Sequence, residues 1–252
     1  MALAPFFFNM KTTKMSFYFL FIYSLGMIFL LFLVLLSAYF YAKEGKINPD
    51  FSFSFGKNGM IVNNEIYSLS SYEFPYNYIV FPIFGIIMIL FTYYLIKFTQ
   101  RNQFKEILGL YQINIQKLLI YLGLFLIYTI IVFFLSRYTS ILNTEDVFKL
   151  PNNPIHIFLL FLGVGVCVPI FEELMFRGVL YFHYFNKFGW FYSVILTSLV
   201  FSIFHFNYNF YIIVCIFFFA LILGSARKES NSIYVPIILH ILNNTMALFI
   251  NF

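Results

Sequence analysis

The stretch Val168-Pro169-Ile170-Phe171-Glu172-Glu173-Leu174-Met175-Phe176-Arg177-Gly178 sets two adjacent carboxylates and a guanidinium inside an apolar run from Ile155 to Tyr184. A run of that length reads as a membrane-spanning helix. A charge at bilayer depth costs roughly 2.5–3.5 kcal/mol on insertion scales, so a cluster of three needs a use. One use is structural, a buried ion pair that ties helices together. Helical spacing divides the labour further. At about 100° per residue, Glu173 and Arg177 share one face, while Glu172 points away from both. Glu173 can then satisfy Arg177, which leaves Glu172 free in the manner of a general base.

The rest of the chain agrees with a membrane setting. Of 252 residues, 62% are hydrophobic, 24% aromatic and only 10% charged, with mean hydropathy +0.88. Soluble domains carry about a quarter charged residues, so the composition predicts an all-α, polytopic transmembrane bundle. The net charge of +5 is compatible with basic cytoplasmic loops, and no basic patch points to nucleic acid. Cys167 and Cys215 both fall in apolar spans and read as small core residues. The abundance of Phe, Ile, Asn and Lys looks like an AT-rich genome and a bacterial source.

Hydropathy predicts about seven spans, near 15–42, 78–96, 118–135, 155–184, 189–206, 211–226 and 233–252. Residues 1–154 form an N-terminal set of membrane helices and loops, and 155–252 a second set holding the polar motifs. The first run is too long for a signal-peptide core and reads as an uncleaved span. Lys43 to Asn77 is the longest polar stretch, with seven charged side chains. Its alternation Phe51-Ser52-Phe53-Ser54-Phe55 fits either a short hairpin strand or a segment at headgroup level. Lys97 to Lys117 carries four basic residues and one acid, and reads as an amphipathic interfacial piece. Pro151-Asn152-Asn153-Pro154 is a turn opening the fourth span, Asn207-Tyr208-Asn209 a short connection, and Arg227-Lys228-Glu229-Ser230-Asn231 a polar loop before the last span.

Lysine and arginine set the orientation. With the N-terminus inside, the inner segments hold Lys11, Lys14, Lys97, Arg101, Lys105, Lys117, Lys187, Arg227 and Lys228. The outer ones hold Lys43, Lys46, Lys57, Arg137 and Lys149. Nine against five predicts a cytoplasmic N-terminus in a bacterial cell membrane.

Two of four histidines lie deep in spans, His205 in Phe201-Ser202-Ile203-Phe204-His205 and His240 in His240-Ile241-Leu242-Asn243-Asn244. His156 and His183 lie near span ends and read as interfacial. At 1.5 Å per residue, Glu172 and Asn244 come to depths of ~20 Å, His205 to ~24 Å and His240 to ~14 Å, within about a turn of one level. His240 and Asn244, four apart, share a face. Amide hydrolysis asks for this set: a base for water, an anchor for that water, and donors for the developing oxyanion. Glu172 supplies the base, His205 holds the water or shuttles its proton, and His240 with the Asn244 amide supplies donors. No serine or cysteine stands as an obvious nucleophile beside a motif histidine. Buried Glu and His also build proton relays, yet the paired broken helices and pseudo-repeat of a transporter are not visible.

Three motifs, Glu-Glu-x-x-x-Arg at Glu172 to Arg177, Phe-x-x-x-His at Phe201 to His205, and His-x-x-x-Asn at His240 to Asn244, resemble the CPBP family of intramembrane peptidases. That family includes the type II CAAX prenyl endopeptidases and bacterial relatives once called Abi proteins. The likeness covers about residues 155–250, with Pro169 before the acids and Gly178 after the arginine. It implies an endopeptidase whose site lies in the membrane and which cuts a membrane-embedded or membrane-anchored substrate near its C-terminus. By position, Glu172 with His205 would activate water, His240 with Asn244 would stabilise the oxyanion, and Glu173 with Arg177 would support the site. The family has been described both as metallopeptidases and as glutamate-dependent enzymes without a metal; on the metal reading Glu172, His205 and His240 would supply three ligands to zinc. Some bacterial relatives act in bacteriocin immunity or regulation, which leaves a non-catalytic protein of the same fold as the alternative.

Overall fold

The computed structural model describes residues 10–43, 53–56, 59–62, 65–67, 77–138, 150–206 and 208–250. Most of the Lys43–Asn77 stretch, residues 139–149 and Asn207 lie outside the described residues. The chain is a helical membrane bundle with one small β insertion. Its first helix, α1, is Met10–Lys43. Strands β1 (Phe53–Gly56), β2 (Gly59–Val62) and β3 (Glu65–Tyr67) follow as an antiparallel sheet in that order, with Gly56 opposite Gly59 and Val62 opposite Glu65. Phe53 to Phe55 of the alternating segment thus lie in a hairpin strand, and Phe51 and Ser52 lie outside the described residues.

Helix α2 (Asn77–Thr99), the single-turn α3 (Phe104–Leu108) and α4 (Ile115–Tyr138) complete the N-terminal part. Between Lys97 and Lys117 the expected amphipathic piece is the single turn α3, flanked by irregular chain at 100–103 and 109–114. Ile107 and Leu108 are fully buried while Lys105 and Glu106 face outward, so one short turn supplies the apolar face.

Pro154 to Leu180 runs through four successive segments: α5 (Pro154–Leu160), the π-helical π1 (Phe161–Cys167), α6 (Val168–Glu173) and the π-helical π2 (Leu174–Leu180). Asn153 caps the start, accepting from the Ile155 amide at 2.9 Å, with Pro154 in the first turn where its missing N–H costs nothing. The π turns have a local cause. Pro169 cannot donate to a carbonyl four residues back, and the neighbouring Val168 amide reaches five residues back to Gly163. Tyr181 does the same to Phe176 at the end of π2. Both acids thus sit on one regular turn between two widened ones.

Helix α7 (Tyr181–Ile203) is broken at Gly189 (φ 78°, ψ 177°), where the chain reverses, so the fourth and fifth predicted spans meet at this residue. Helix α8 (Phe210–Ser230) is capped by Asn209, which accepts from the Ile212 amide at 3.0 Å, and α9 (Tyr234–Ile250) closes the bundle. Helix α8 runs four residues past the predicted span end, so Arg227 to Ser230 belong to the helix and Arg227 is buried. The predicted loop there is corrected to a helical turn ended by Asn231 in the left-handed conformation (φ 54°). Four described helical stretches are long and apolar enough to cross a membrane: Tyr78–Thr99, Ile115–Tyr138, Pro154–Ile203 and Phe210–Ser230.

Lipid tails are as apolar as leucine, so close packing and polar contacts, more than water exclusion, join such helices. Helix α2 lies so near π1 that a Cβ on Gly163 would stand 2.6 Å from Phe81 Cβ and Pro82 Cδ. Phe176 is the hub of the core, meeting Phe201 at 5.0 Å, Phe19 at 5.4 Å and Phe204 at 5.9 Å, all edge-on. These edge-to-face contacts lock α1, π2 and α7 around the acids. Leu119, Ile120, Leu126 and Ile127 leave the outer side of α4 exposed, as a lipid-facing helix requires. His156 stacks on Tyr78 with ring centroids 3.7 Å apart, and His183 is buried in the bundle. Both cysteines are free thiols.

Candidate active site

Helix α6 ends in the two acids, and they take unlike positions. Glu173 is fully buried and so is Arg177, whereas the Glu172 side chain is 23% exposed. Glu173 Oε1 accepts from Arg177 Nη1 at 2.8 Å, the pairing that the four-residue spacing predicts. The same oxygen accepts from His240 Nδ1 at 2.8 Å, joining α6 to α9. Arg177 Nη2 donates to the Ala220 carbonyl of α8 at 3.1 Å, and its guanidinium lies 4.6 Å from the Phe201 ring centroid. Charge, hydrogen bonds and a cation–π contact together offset the cost of burying this arginine.

Glu172 comes close to one histidine. Its Oε2 lies 3.6 Å from His240 Nε2, near enough for strong electrostatic coupling but too long for a hydrogen bond. His240 therefore stands between the two acids, Nδ1 on Glu173 and Nε2 toward Glu172. Sequence spacing had paired His240 with Asn244 on one face; its tie to Glu173 is visible only in three dimensions.

His205 sits in the turn that ends α7. Its Nδ1 lies 2.8 Å from the Phe201 carbonyl, an acceptor only, so Nδ1 carries the proton and donates. Nε2 is left with a lone pair that can accept from water. No ion-pair distance links His205 to Glu172; the structure brings His240, not His205, to that carboxylate. Tyr208 stacks loosely over His205, centroids 6.3 Å apart. Burial of its phenol and, secondarily, the Glu172 carboxylate push Tyr208 above the ordinary tyrosine value. Tyr23 of α1 also lies within electrostatic reach of Glu172, and its ring lies tilted against Phe204 with centroids 4.3 Å apart.

Asn244 donates through Nδ2 to the Val164 carbonyl in π1 at 3.0 Å. One amide hydrogen is thereby engaged and a second remains for another acceptor. Among the described residues, no three of His, Cys, Asp and Glu are grouped to hold one metal ion, so Glu172, His205 and His240 do not form a ready three-ligand set here.

Sequence reasoning missed three participants: the Ala220 carbonyl, Tyr23 from the first helix, and Arg227, discussed below. Only Arg227 had a readable signal. The helical pattern continues past Ala226 to Asn231, a residue type suited to the left-handed position that stops a helix.

Comparison with known proteins adds one finding. Residues 154–246 match the family described as type II CAAX prenyl endopeptidase Rce1-like. No curated protein and no solved structure matches the chain. The matched segment begins at the first residue of α5 and ends within α9, and it holds every acid, arginine, histidine and asparagine of the site. The similarity to Rce1-like type II CAAX prenyl endopeptidases is confined to residues 154–246, less than half of the chain.

Proposed function

We propose that the chain is an intramembrane endopeptidase that hydrolyses a peptide bond of a membrane-associated substrate with water activated by Glu172. One observation carries the reading. Of two adjacent carboxylates, Glu173 is consumed by Arg177 and His240, and Glu172 alone stays partly accessible beside them. A base must reach its water, and Glu173, fully buried, cannot.

The chemistry then runs through named atoms. Glu172 takes a proton from a water whose other contact is His205 Nε2, and the water oxygen adds to the scissile carbonyl carbon. Negative charge collects on the carbonyl oxygen. His240 Nε2–H, in the form of the ring that carries a hydrogen on both nitrogens, and the remaining amide hydrogen of Asn244 donate to it. Collapse breaks the C–N bond, and Glu172 returns its proton to the leaving amine. A positioned base contributes about 10²–10⁴-fold and each oxyanion donor about 10²–10³-fold. If zinc were bound, Glu172, His205 and His240 would hold it and it would polarise the carbonyl.

The protein would sit in a bacterial cell membrane with its N-terminus in the cytoplasm. The test is a substrate-trapping comparison of wild type and Glu172→Ala, followed by mass spectrometry of new peptide ends. Ends that appear only with wild type support the proposal. Identical peptides from both would transfer the protein to the non-catalytic, regulatory or immunity class.

A further inference from the structure

Arg227 is the second buried arginine of the bundle, 4% exposed in the last turn of α8. Its Nε donates to the Arg177 carbonyl at 3.2 Å, Nη2 to the Glu106 carbonyl at 3.3 Å, and Nη1 to Asn231 Oδ1 at 3.4 Å. The guanidinium also lies 5.4 Å from the Tyr181 ring centroid. None of the three acceptors is a carboxylate. Burying a cation among neutral groups costs more than packing an apolar side chain there, so the bonds must serve placement.

The surroundings are shaped to admit it. Gly109 takes φ 66° at the end of α3, and a Cβ there would stand 2.6 Å from Arg227 Cζ and Nε. The Gly109 carbonyl accepts from the Ile233 amide at 2.8 Å, and Ser232 Oγ donates to the Tyr111 carbonyl at 2.7 Å. The segment around α3 and the turn between α8 and α9 are thus zipped together over the arginine.

What ties this to the site is reciprocity. Arg177, from π2, donates to the α8 carbonyl of Ala220; Arg227, from α8, donates to the π2 carbonyl of Arg177. The two anchor points on α8 lie about two helical turns apart. The Arg177 side chain lies along α8, its backbone end held by Arg227 and its guanidinium by Ala220 and Glu173. That guanidinium sets Glu173, and Glu173 sets His240.

We propose that Arg227 is a positioning residue of the site, fixing the backbone of Arg177 against α8 so that the Arg177–Glu173–His240 chain presents His240 correctly to Glu172. The planar fork matters, since a lysine ammonium cannot span three acceptors in three segments. The proposal rests on the peptidase reading for its activity readout alone.

The test compares wild type, Arg227→Met, Arg227→Lys and the control Lys228→Gln, whose side chain is half-exposed on the same turn and pairs with Glu229. Two quantities are measured: kcat and KM on a peptide from the trapping experiment, and amide hydrogen exchange over Leu174–Tyr181. Both Arg227 variants should lose about 10–100-fold in kcat, the scale of a small misplacement of reacting groups. KM should stay within about twofold, because substrate contacts are untouched. Exchange over Leu174–Tyr181 should rise about tenfold while α5 is unchanged. The control should match wild type in both. Wild-type kcat in either Arg227 variant, or unchanged exchange, overturns the proposal. If Arg227→Met does not fold, Arg227→Lys carries both measurements. If wild type cleaves no peptide, the peptidase reading falls, and hydrogen exchange still decides the placement of Arg177.

Discussion

Replacing each acid by its amide separates the two glutamates. Glu173 is fully buried, and one of its oxygens holds both Arg177 and His240 at 2.8 Å. Glu173→Gln retains an acceptor oxygen but leaves Arg177 buried without its counter-charge. Breaking a buried pair from one side costs about 3–5 kcal/mol. At about 2–4 °C per kcal/mol for a chain of this size, melting should fall by about 6–20 °C. Glu172, partly exposed and 3.6 Å from its nearest cationic partner, contributes at most about 1 kcal/mol, so Glu172→Gln should melt within about 4 °C of wild type. Activity should follow a different order, with Glu172→Gln abolishing turnover in a stable protein and Glu173→Gln losing both activity and stability. The double variant Glu173→Gln/Arg177→Met removes both charges and should recover part of the lost melting temperature. Thermal unfolding in one detergent, followed by circular dichroism beside a peptide-cleavage assay, measures all of this. Equal melting and equal activity for the two single variants would refute the division of labour.

Asn244→Ala should lower turnover by about two to three orders of magnitude with little change in KM, read from steady-state kinetics. Chelator treatment of purified protein should leave full activity and elemental analysis should find no stoichiometric zinc; one zinc per chain, lost in His240→Ala, would replace the proposed mechanism by a metal-dependent one. A reporter inserted after Lys105 should score cytoplasmic and one after Lys57 external, and the reverse pattern would invert the topology. Gly163→Val should destabilise the fold by about 1–3 kcal/mol in thermal unfolding, because its side chain enters the α2 backbone at Pro82; an unchanged melt would contradict that packing.

Contacts within one helix were legible from the chain alone. The Glu173–Arg177 pair follows from a separation of four residues, Asn153 and Pro154 announce the start of α5, and the apolar runs locate the membrane helices. All are consequences of backbone periodicity, which sequence states directly. Contacts between helices were not legible. Motif and depth brought Glu172, His205, His240 and Asn244 to one level, but that His240 reaches Glu173 through Nδ1 and turns Nε2 toward Glu172 is visible only in the fold. The sequence set Arg227 in a polar loop, whereas the helix continues and buries it against Arg177. It left no trace of Tyr23 near the site, because that residue lies in an evenly apolar helix, α1. The reason is common to all three. In water, a helix shows by its polar face which side turns outward; in lipid both sides are apolar, so rotation and depth are set by packing between helices rather than by the pattern along them. Two π turns add to this, since each shifts the faces of everything beyond it.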